Sequence, residues 1–202
     1  MGGTMTIVML MWCVAAFLAI AIIAVGLASR PTATKLIYGL AAIVSVVGCA
    51  VVFMALTGNQ TAAMRLPLGL PWVGANFRID ALSSLFLVII NLGGAGASLY
   101  GLGYGVHESS PQRVLPFFPA FLAGMNLVLL ADDAFTFLLA WEFMSLTSWA
   151  LVMAHHRVAD NARAGYVYIL MASFGTFALL LGFGLLAGPE GQYGFEAIRL
   201  HQ

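Results

Sequence analysis

Charged side chains are scarce in this sequence of 202 residues, of which 8% are charged and 62% hydrophobic. Soluble domains carry about 25% charged residues, so this composition excludes an ordinary soluble protein and indicates one that lies in a lipid bilayer. The formal net charge is zero and no basic cluster occurs, which excludes an electrostatic footprint for nucleic acid. We therefore expect an integral membrane protein whose partners meet it in the bilayer or at its surface loops.

Cysteine and lysine are also scarce. Cys13 and Cys49 lie in apolar runs without CxxC or Cys/His spacing, so the sequence predicts neither a metal site nor a redox centre. No lysine follows Lys35, so no apolar segment after it supplies a buried ammonium group. The motifs GxSxG, HExxH and Walker A are missing as well. We therefore expect no catalytic residues, no bound metal and no cofactor.

Six apolar segments are long enough to cross a membrane, because about 20 residues of helix span a hydrocarbon core of about 30 Å. Their approximate bounds are 5–28, 35–56, 80–104, 113–131, 134–154 and 163–187. The sequence therefore predicts an all-α bundle of six transmembrane helices in a single domain, 1–202. The connection 57–79 ends in the alternation Asn76-Phe77-Arg78-Ile79, which predicts a short extracytoplasmic loop or hairpin between helices 2 and 3.

The distribution of basic residues predicts the orientation of the helices. Cytoplasmic loops are enriched in Lys and Arg. One predicted side of the bundle holds five basic residues, namely Arg30, Lys35, Arg113, Arg157 and Arg163. The other side holds three basic and five acidic residues, namely Arg65, Arg78, Arg199, Asp80, Asp132, Asp133, Glu190 and Glu196. The first side is predicted to be cytoplasmic, which leaves the N-terminus outside the cell.

Glu142 is an acidic residue near the middle of the fifth apolar segment. A carboxylate at membrane depth costs about 2.5–3.5 kcal/mol on insertion scales, so such residues tend to be paired or functional. It lies nine residues after Asp133, or about 14 Å along a helix, which predicts a position close to the midplane. We interpret Glu142 as a proton-carrying residue; the alternative is a hydrogen-bonded carboxylic acid that holds helices together.

The polar face of the fifth helix extends from Glu142 toward the predicted cytoplasmic side. At about 100° per residue, Ser145 lies on this face and His156 returns close to it. His155, His156, Asp160 and Arg163 follow in or near the next loop and are further candidates for a relay that tunes Glu142, although loop histidines can also be merely solvated. Arg163 either pairs with Asp160 or marks the interface. Asp132 and Asp133 are predicted to cap the fifth helix.

Three stretches resemble a known family. They are Phe77-Arg78-Ile79-Asp80-Ala81-Leu82-Ser83 with Leu99-Tyr100-Gly101-Leu102-Gly103-Tyr104, and Ala131-Asp132-Asp133-Ala134-Phe135-Thr136-Phe137-Leu138-Leu139-Ala140-Trp141-Glu142-Phe143-Met144-Ser145. This pattern resembles the antiporter-like proton-translocating subunits of respiratory complex I, multisubunit sodium/proton antiporters and membrane-bound hydrogenases. The resemblance is strongest to the antiporter-like membrane component of hydrogenase-4 and formate hydrogenlyase complexes.

The resemblance implies that Glu142 matches the family's glutamate on the fifth helix, which works opposite a lysine on the seventh. Family members have about fourteen helices, including two broken ones, whereas this sequence has six apolar segments. We therefore expect it to be the N-terminal part of such a subunit, whether a truncated product, a fragment or one piece of a split subunit. Its implied partners are protons or sodium ions and other membrane subunits of a hydrogenase or complex I-like assembly in a bacterial or archaeal cell membrane.

Overall fold

A computed structural model describes residues 2–30, 32–58, 60–67, 74–108, 110–188 and 191–200. Within these residues, six helices are long and apolar enough to cross a membrane, as the sequence predicted. Their α-helices are α1 (Gly2–Leu27), α2 (Ala33–Thr57), α3 (Ala81–Tyr104), α4 (Phe117–Leu130), α5 (Ala134–Val152) and α6 (Ala159–Leu186). The fourth span is Pro111–Leu130, which includes the turns that precede α4. A short helix, α7 (Phe195–Leu200), follows. Glu190, which the orientation argument used, lies outside the described residues.

A two-stranded hairpin joins α2 to α3, where the sequence predicted a loop or hairpin. Strands β1 (Ala62–Leu66) and β2 (Ala75–Ile79) pair antiparallel, with Ala62 opposite Ile79 and Leu66 opposite Ala75. Alternate side chains of β2 are buried: Ala75, Phe77 and Ile79. They pack against apolar residues of the first four helices. The hairpin therefore closes one end of the bundle, which we call the hairpin end.

Two helices begin four residues away from the approximate starts that the apolar segments suggested. The sequence placed the start of the fourth helix near 113, whereas residues Pro111–Arg113 form a short 3-10 turn and α4 begins at Phe117. Pro119 then lies in the first turn of α4, where its missing N–H would have no intrahelical partner. Helix α6 begins at Ala159, four residues before the predicted 163, so its first turn includes Asp160. An acidic residue there favours the positive end of the helix dipole.

Candidate functional site

Glu142 lies in the middle of α5, between the hairpin end and the opposite end of the bundle. Its side chain is half-buried, its Oε1 atom is fully buried, and this atom receives no hydrogen bond from any described residue. Nε1 of the preceding Trp141 is also buried, and its N–H has no acceptor among the described residues. Buried polar atoms without a partner are rare in proteins and cost free energy. An acidic group in this condition at membrane depth is a candidate for functional use.

Two glycines hold α5 against its neighbours. A Cβ atom at Gly124 of α4 would lie 2.9 Å from Cα of Met144, so the two backbones touch two residues away from Glu142. Gly165 of α6 packs against Met153 and Trp149 at the other end of α5. The backbone beside Glu142 is therefore held close to α4, and α6 packs closely on the end of α5 farther along the chain.

The predicted polar face of α5 includes Ser145, but it does not extend to His156. Ser145 is buried one turn beyond Glu142. Helix α5, however, ends at Val152 and continues as a 3-10 turn, Met153–His155. The helical angle that put His156 near the face of Glu142 does not extend that far. His156 instead contacts Arg113, and no described contact joins it to Glu142.

The two histidines pair with the loop that joins α3 to α4. Nη1 of Arg113 lies 2.6 Å from Nδ1 of His156. The same Nη1 lies 3.3 Å from Nε2 of the ring, and Nδ1 also lies 3.3 Å from the carbonyl oxygen of Met153. Nε2 of His155 lies 3.0 Å from Oε1 of Glu108, which also accepts a hydrogen bond from the backbone N–H of Ser110. No pattern in the sequence pointed to Glu108, and Arg113 was expected only to mark the cytoplasmic side.

Asp160 and Arg163 lie on the exposed surface of the first turn of α6. The pairing that the sequence offered as one option for Arg163 is not formed. Each of the three salt bridges found among the described residues involves other side chains. The structure thus groups Glu108, Arg113 and the two histidines at the end of the bundle opposite the hairpin, and we call these four residues the histidine cluster.

The two adjacent aspartates before α5 have different roles. Asp133 is fully buried (0% exposed) and caps α5, because its Oδ1 accepts from the N–H of Thr136 at 2.8 Å. Its Oδ2 accepts from the Thr136 hydroxyl and from the backbone N–H of Asn76. Asp132 does not cap the helix; its Oδ1 accepts from Nε of Arg78 at 2.8 Å. The capping prediction is right for Asp133 and wrong for Asp132, and both residues fasten the hairpin to α5.

Asp80 connects Arg78 of the hairpin to the first turn of α3. Its Oδ1 accepts from the backbone N–H of Ser83 at 2.8 Å, and its Oδ2 lies 2.8 Å from Nη1 of Arg78. Partial burial by itself raises the pKa of Asp80, but the Ser83 hydrogen bond and then the Arg78 charge outweigh it, so the pKa lies below its ordinary value. The carboxylate is therefore a stable acceptor that joins the hairpin to the start of α3.

Aromatic rings fill the space between α5, α6 and α7 near the hairpin end. Phe137 stacks on Trp141 at 5.8 Å between ring centroids and contacts the edges of Phe183 and Phe195. Phe183 and Phe195 also contact each other. The hairpin end of the α5–α6 contact is thus closed by apolar groups, whereas the opposite end carries the polar histidine cluster.

A hydrogen bond between two buried side chains joins α3 to α4 within the membrane-spanning part of the bundle. Nδ2 of Asn91 in α3 donates to Oδ1 of Asn126 in α4 at 2.8 Å, and both side chains are buried. Each amide also donates to a carbonyl oxygen one turn earlier in its own helix. This is the pattern expected of polar residues that join transmembrane helices. Within the described ranges, no group of three or more His, Cys, Asp or Glu side chains is arranged to hold a metal ion.

Comparisons with known proteins identify related chains. Residues 131–202 match a family model described as "NADH:quinone oxidoreductase/Mrp antiporter, TM". Hydrogenase-4 component B of Escherichia coli (strain K12) is 30% identical over 146 residues, which are 71% of this chain and 22% of that protein. NADH-quinone oxidoreductase subunit L of Mycobacterium tuberculosis is 25% identical over 140 residues, which are 69% of this chain and 22% of that protein.

A solved structure supports the same relationship. The Mrp complex from Dietzia sp. DQ12-45-1b contains a chain that is 26% identical and superimposes with a TM-score of 0.76. The match covers 92% of this chain and 35% of that one. The chain described here spans about a fifth of the length of the curated relatives it matches, at 20% and 22% for two of them. Two of these relatives are named as parts of larger assemblies, namely hydrogenase-4 component B and NADH-quinone oxidoreductase subunit L.

Proposed function

Because this chain belongs to the antiporter-like membrane subunits related to NADH:quinone oxidoreductases, Mrp antiporters and hydrogenase-4, we propose that Glu142 carries protons through it. In this proposal the chain is part of a proton-translocating subunit, and the redox chemistry that drives transport occurs on other subunits of a hydrogenase-4, formate hydrogenlyase or complex I-like assembly.

The observation that carries the proposal is the state of the Glu142 carboxyl group. Its Oε1 atom is buried, lies at mid-helix and has no hydrogen-bond partner among the described residues. A carboxylic acid that only held helices together would donate or accept a hydrogen bond across a helix contact, as Asn91 and Asn126 do. A group that gains and loses a proton needs instead an environment in which neither state is locked by one permanent partner.

The surroundings of α5 suggest a direction of proton access. Aromatic rings pack at its hairpin end, and apolar packing excludes the water through which protons move. At the opposite end, Ser145 continues the polar face and the histidine cluster supplies groups that can exchange protons with solvent. We therefore propose that protons reach Glu142 from the side of His155 and His156, with Asp160 and Arg163 at the surface.

A second candidate is a subunit of a sodium/proton antiporter with no redox partner, which the likeness to the Mrp complex favours. The two candidates differ in their driving reaction. Transport that requires an electron donor and a redox subunit would support the first, whereas sodium-dependent proton movement in vesicles that contain no redox subunit would support the second. Glu142 has the same role in both.

The test substitutes Glu142→Gln, which keeps the size of the side chain and much of its hydrogen bonding but removes titration. In the assembled parent complex, we expect the rate of proton translocation to fall by about 100-fold or more, which is the contribution that a proton-transferring side chain makes in enzymes. Glu142→Asp, which shortens the side chain by one CH₂, should retain partial activity. The exposed Glu196→Gln is the matched control. Transport is measured with a pH-sensitive dye in sealed vesicles and assembly by the amount of intact complex; full transport in Glu142→Gln would refute the proposal.

A further inference from the structure

An apolar groove lies on the surface of the bundle where α1, α4 and α5 meet. It has a volume of about 660 Å³, and its floor includes the buried residues Ala21, Ala120 and Thr147. Its rim includes Ile22 and Val25, which are 73% and 71% exposed. The groove is therefore open to the surroundings of the bundle at membrane depth.

The walls of the groove are apolar along most of its length, and a free polar side chain lines it only at one end. The Thr147 hydroxyl donates to backbone carbonyl oxygens of its own helix, at 3.0 Å to Phe143 and 2.9 Å to Met144. Its hydrogen is therefore already used within α5. The other polar lining residue is Gln112, which is exposed at the end of the bundle that carries the histidine cluster. A ligand that fits must be apolar along its length and polar at one end.

The dimensions match one leaflet of a bilayer. Leu18 and Phe143 also line a second apolar cavity of about 380 Å³, which continues along α1 as far as Met11. From Val25 to Met11 is about 21 Å of helix, and from Val25 to Leu18 about 10 Å. Half of a hydrocarbon core is about 15 Å. A single acyl chain that starts at the membrane surface and follows α1 would thus pass along the groove and end beside the second cavity, which shares Leu18 and Phe143 with it.

Charge at the mouth of the groove favours an anionic headgroup. This end of the bundle carries five basic residues, Arg30, Lys35, Arg113, Arg157 and Arg163, against two acidic residues, Glu108 and Asp160. Arg113 directly follows Gln112, and the exposed Arg30 lies five residues after Val25. Basic residues near a membrane surface attract anionic lipids by about 1 kcal/mol each.

The walls are unlike the surfaces on which helices of this chain dock. Three of the closest approaches between helices here use glycine: Gly101 against Tyr38, Gly124 against Met144 and Gly165 against Met153. Among the described residues that α1, α4 and α5 contribute to the groove, none is glycine, although small residues are what let a transmembrane helix approach closely. A partner helix is therefore a poorer fit than a flexible hydrocarbon chain.

We propose that the α1–α4–α5 groove binds one acyl chain of an anionic phospholipid, with its phosphate at the cationic end near Arg30 and Gln112. The lipid would fill the groove between helices and hold α1 against α5. The inference is independent of the role of Glu142, since it rests on a different surface of the bundle.

The experiment uses the assembled parent complex in vesicles that contain phosphatidylglycerol with a photoactivatable diazirine in one acyl chain. After illumination, tandem mass spectrometry maps the labelled residues. We expect labelling of residues 18–25 and 116–120, with competition by unlabelled phosphatidylglycerol but not by phosphatidylcholine. Ile22→Trp should reduce this labelling about tenfold by filling the groove, as a bulky side chain excludes the ligand volume. Ile23→Trp is the matched control, because Ile23 is also exposed but does not line the groove.

A second pair of variants tests the headgroup. Arg30→Gln should lower the preference for phosphatidylglycerol over phosphatidylcholine about fivefold, whereas Arg199→Gln at the hairpin end should leave it unchanged. Equal labelling of Ile22→Trp and wild type, equal competition by the two lipids, or cross-linking of a protein segment in place of lipid would each overturn the proposal. Should Ile22→Trp fail to assemble, the lipid competition in the wild-type complex decides alone.

Discussion

Asn91 and Asn126 form a side-chain hydrogen bond of 2.8 Å between α3 and α4, at a site where both residues are less than 5% exposed. Gly48 of α2 lies against Oδ1 of Asn91, so that a Cβ atom there would stand 2.8 Å from it. Three helices therefore meet at one polar contact inside an apolar bundle. The contact favours their relative position because a different register would leave Oδ1 of Asn126 and one N–H of Asn91 without each other in hydrocarbon.

The first prediction concerns this contact. Asn126→Leu leaves Asn91 with an unused donor and should lower stability more than the double variant Asn91→Leu/Asn126→Leu, in which no polar group is stranded. Hydrogen bonds between transmembrane helices contribute about 0.6 kcal/mol on average and at most about 1.7. Unfolding in mixed detergent of the two single variants and the double variant gives the coupling energy. A coupling of zero would mean that the amides do not stabilise each other.

The second prediction is a dependence on acid. The pKa of Asp80 is lower in the folded protein than its ordinary value of 3.8, so its ionised form stabilises the fold above that value. This contribution is lost as the pH falls through the lower folded-state pKa. Asp80→Asn should therefore lower the thermal midpoint at pH 6, and the difference from wild type should shrink below pH 4. A difference that stays constant down to pH 2.5 would exclude Asp80 as the cause.

The hairpin and the start of α5 show which features the sequence could predict and which it could not. Six apolar segments and the alternation in Asn76–Ile79 were enough to predict the helices and the hairpin, because length and periodicity are local properties. Of two adjacent aspartates, however, only Asp133 caps α5, while Asp132 binds Arg78. Which aspartate faces the helix depends on where the hairpin docks, and residues that are 54 positions apart in the chain decide it.

The histidine cluster shows a second limit. Glu108 and His155 are separated by 47 residues, and no local pattern indicates that their two loops touch. His156 was expected near the polar face of Glu142 because the helix was extended past its actual end at Val152. Helix ends are set by capping and by contacts with neighbouring loops, so an angular argument fails beyond the last turn. The position of Glu142 in mid-helix needed only the local pattern and is as expected.

The third prediction is the orientation of the bundle. Cytoplasmic loops are enriched in basic residues, so the end that carries Arg30, Lys35 and the histidine cluster should face the cytoplasm and the N-terminus should lie outside. Single cysteines are introduced at two exposed positions, Gln112→Cys and Thr61→Cys, in a chain that lacks Cys13 and Cys49. In intact cells an impermeant maleimide should label position 61 and not 112. The reverse pattern would invert the orientation.

The last prediction concerns the close approach of α4 to α5 beside Glu142. Gly124→Ala places a methyl group 2.9 Å from Cα of Met144, a backbone atom that cannot rotate away. The two helices must then separate by a few tenths of an ångström or more. We expect a loss of stability of about 1–3 kcal/mol, as for other overpacked cores, and a decrease in transport, because the carboxyl group of Glu142 moves with the helix.

Gly96→Ala is the matched control for this change. Gly96 lies inside α3, and apart from its chain neighbours and the nearby backbone of α3, no described atom comes within 4 Å of the position of a Cβ atom. Alanine at an unhindered helix position is favoured over glycine by about 0.5–1 kcal/mol, so this variant should be slightly more stable and transport normally. Detergent unfolding and the vesicle assay are run on both variants. Equal behaviour of the two would show that α4 and α5 tolerate separation at this point, and the close contact would then have no part in positioning Glu142.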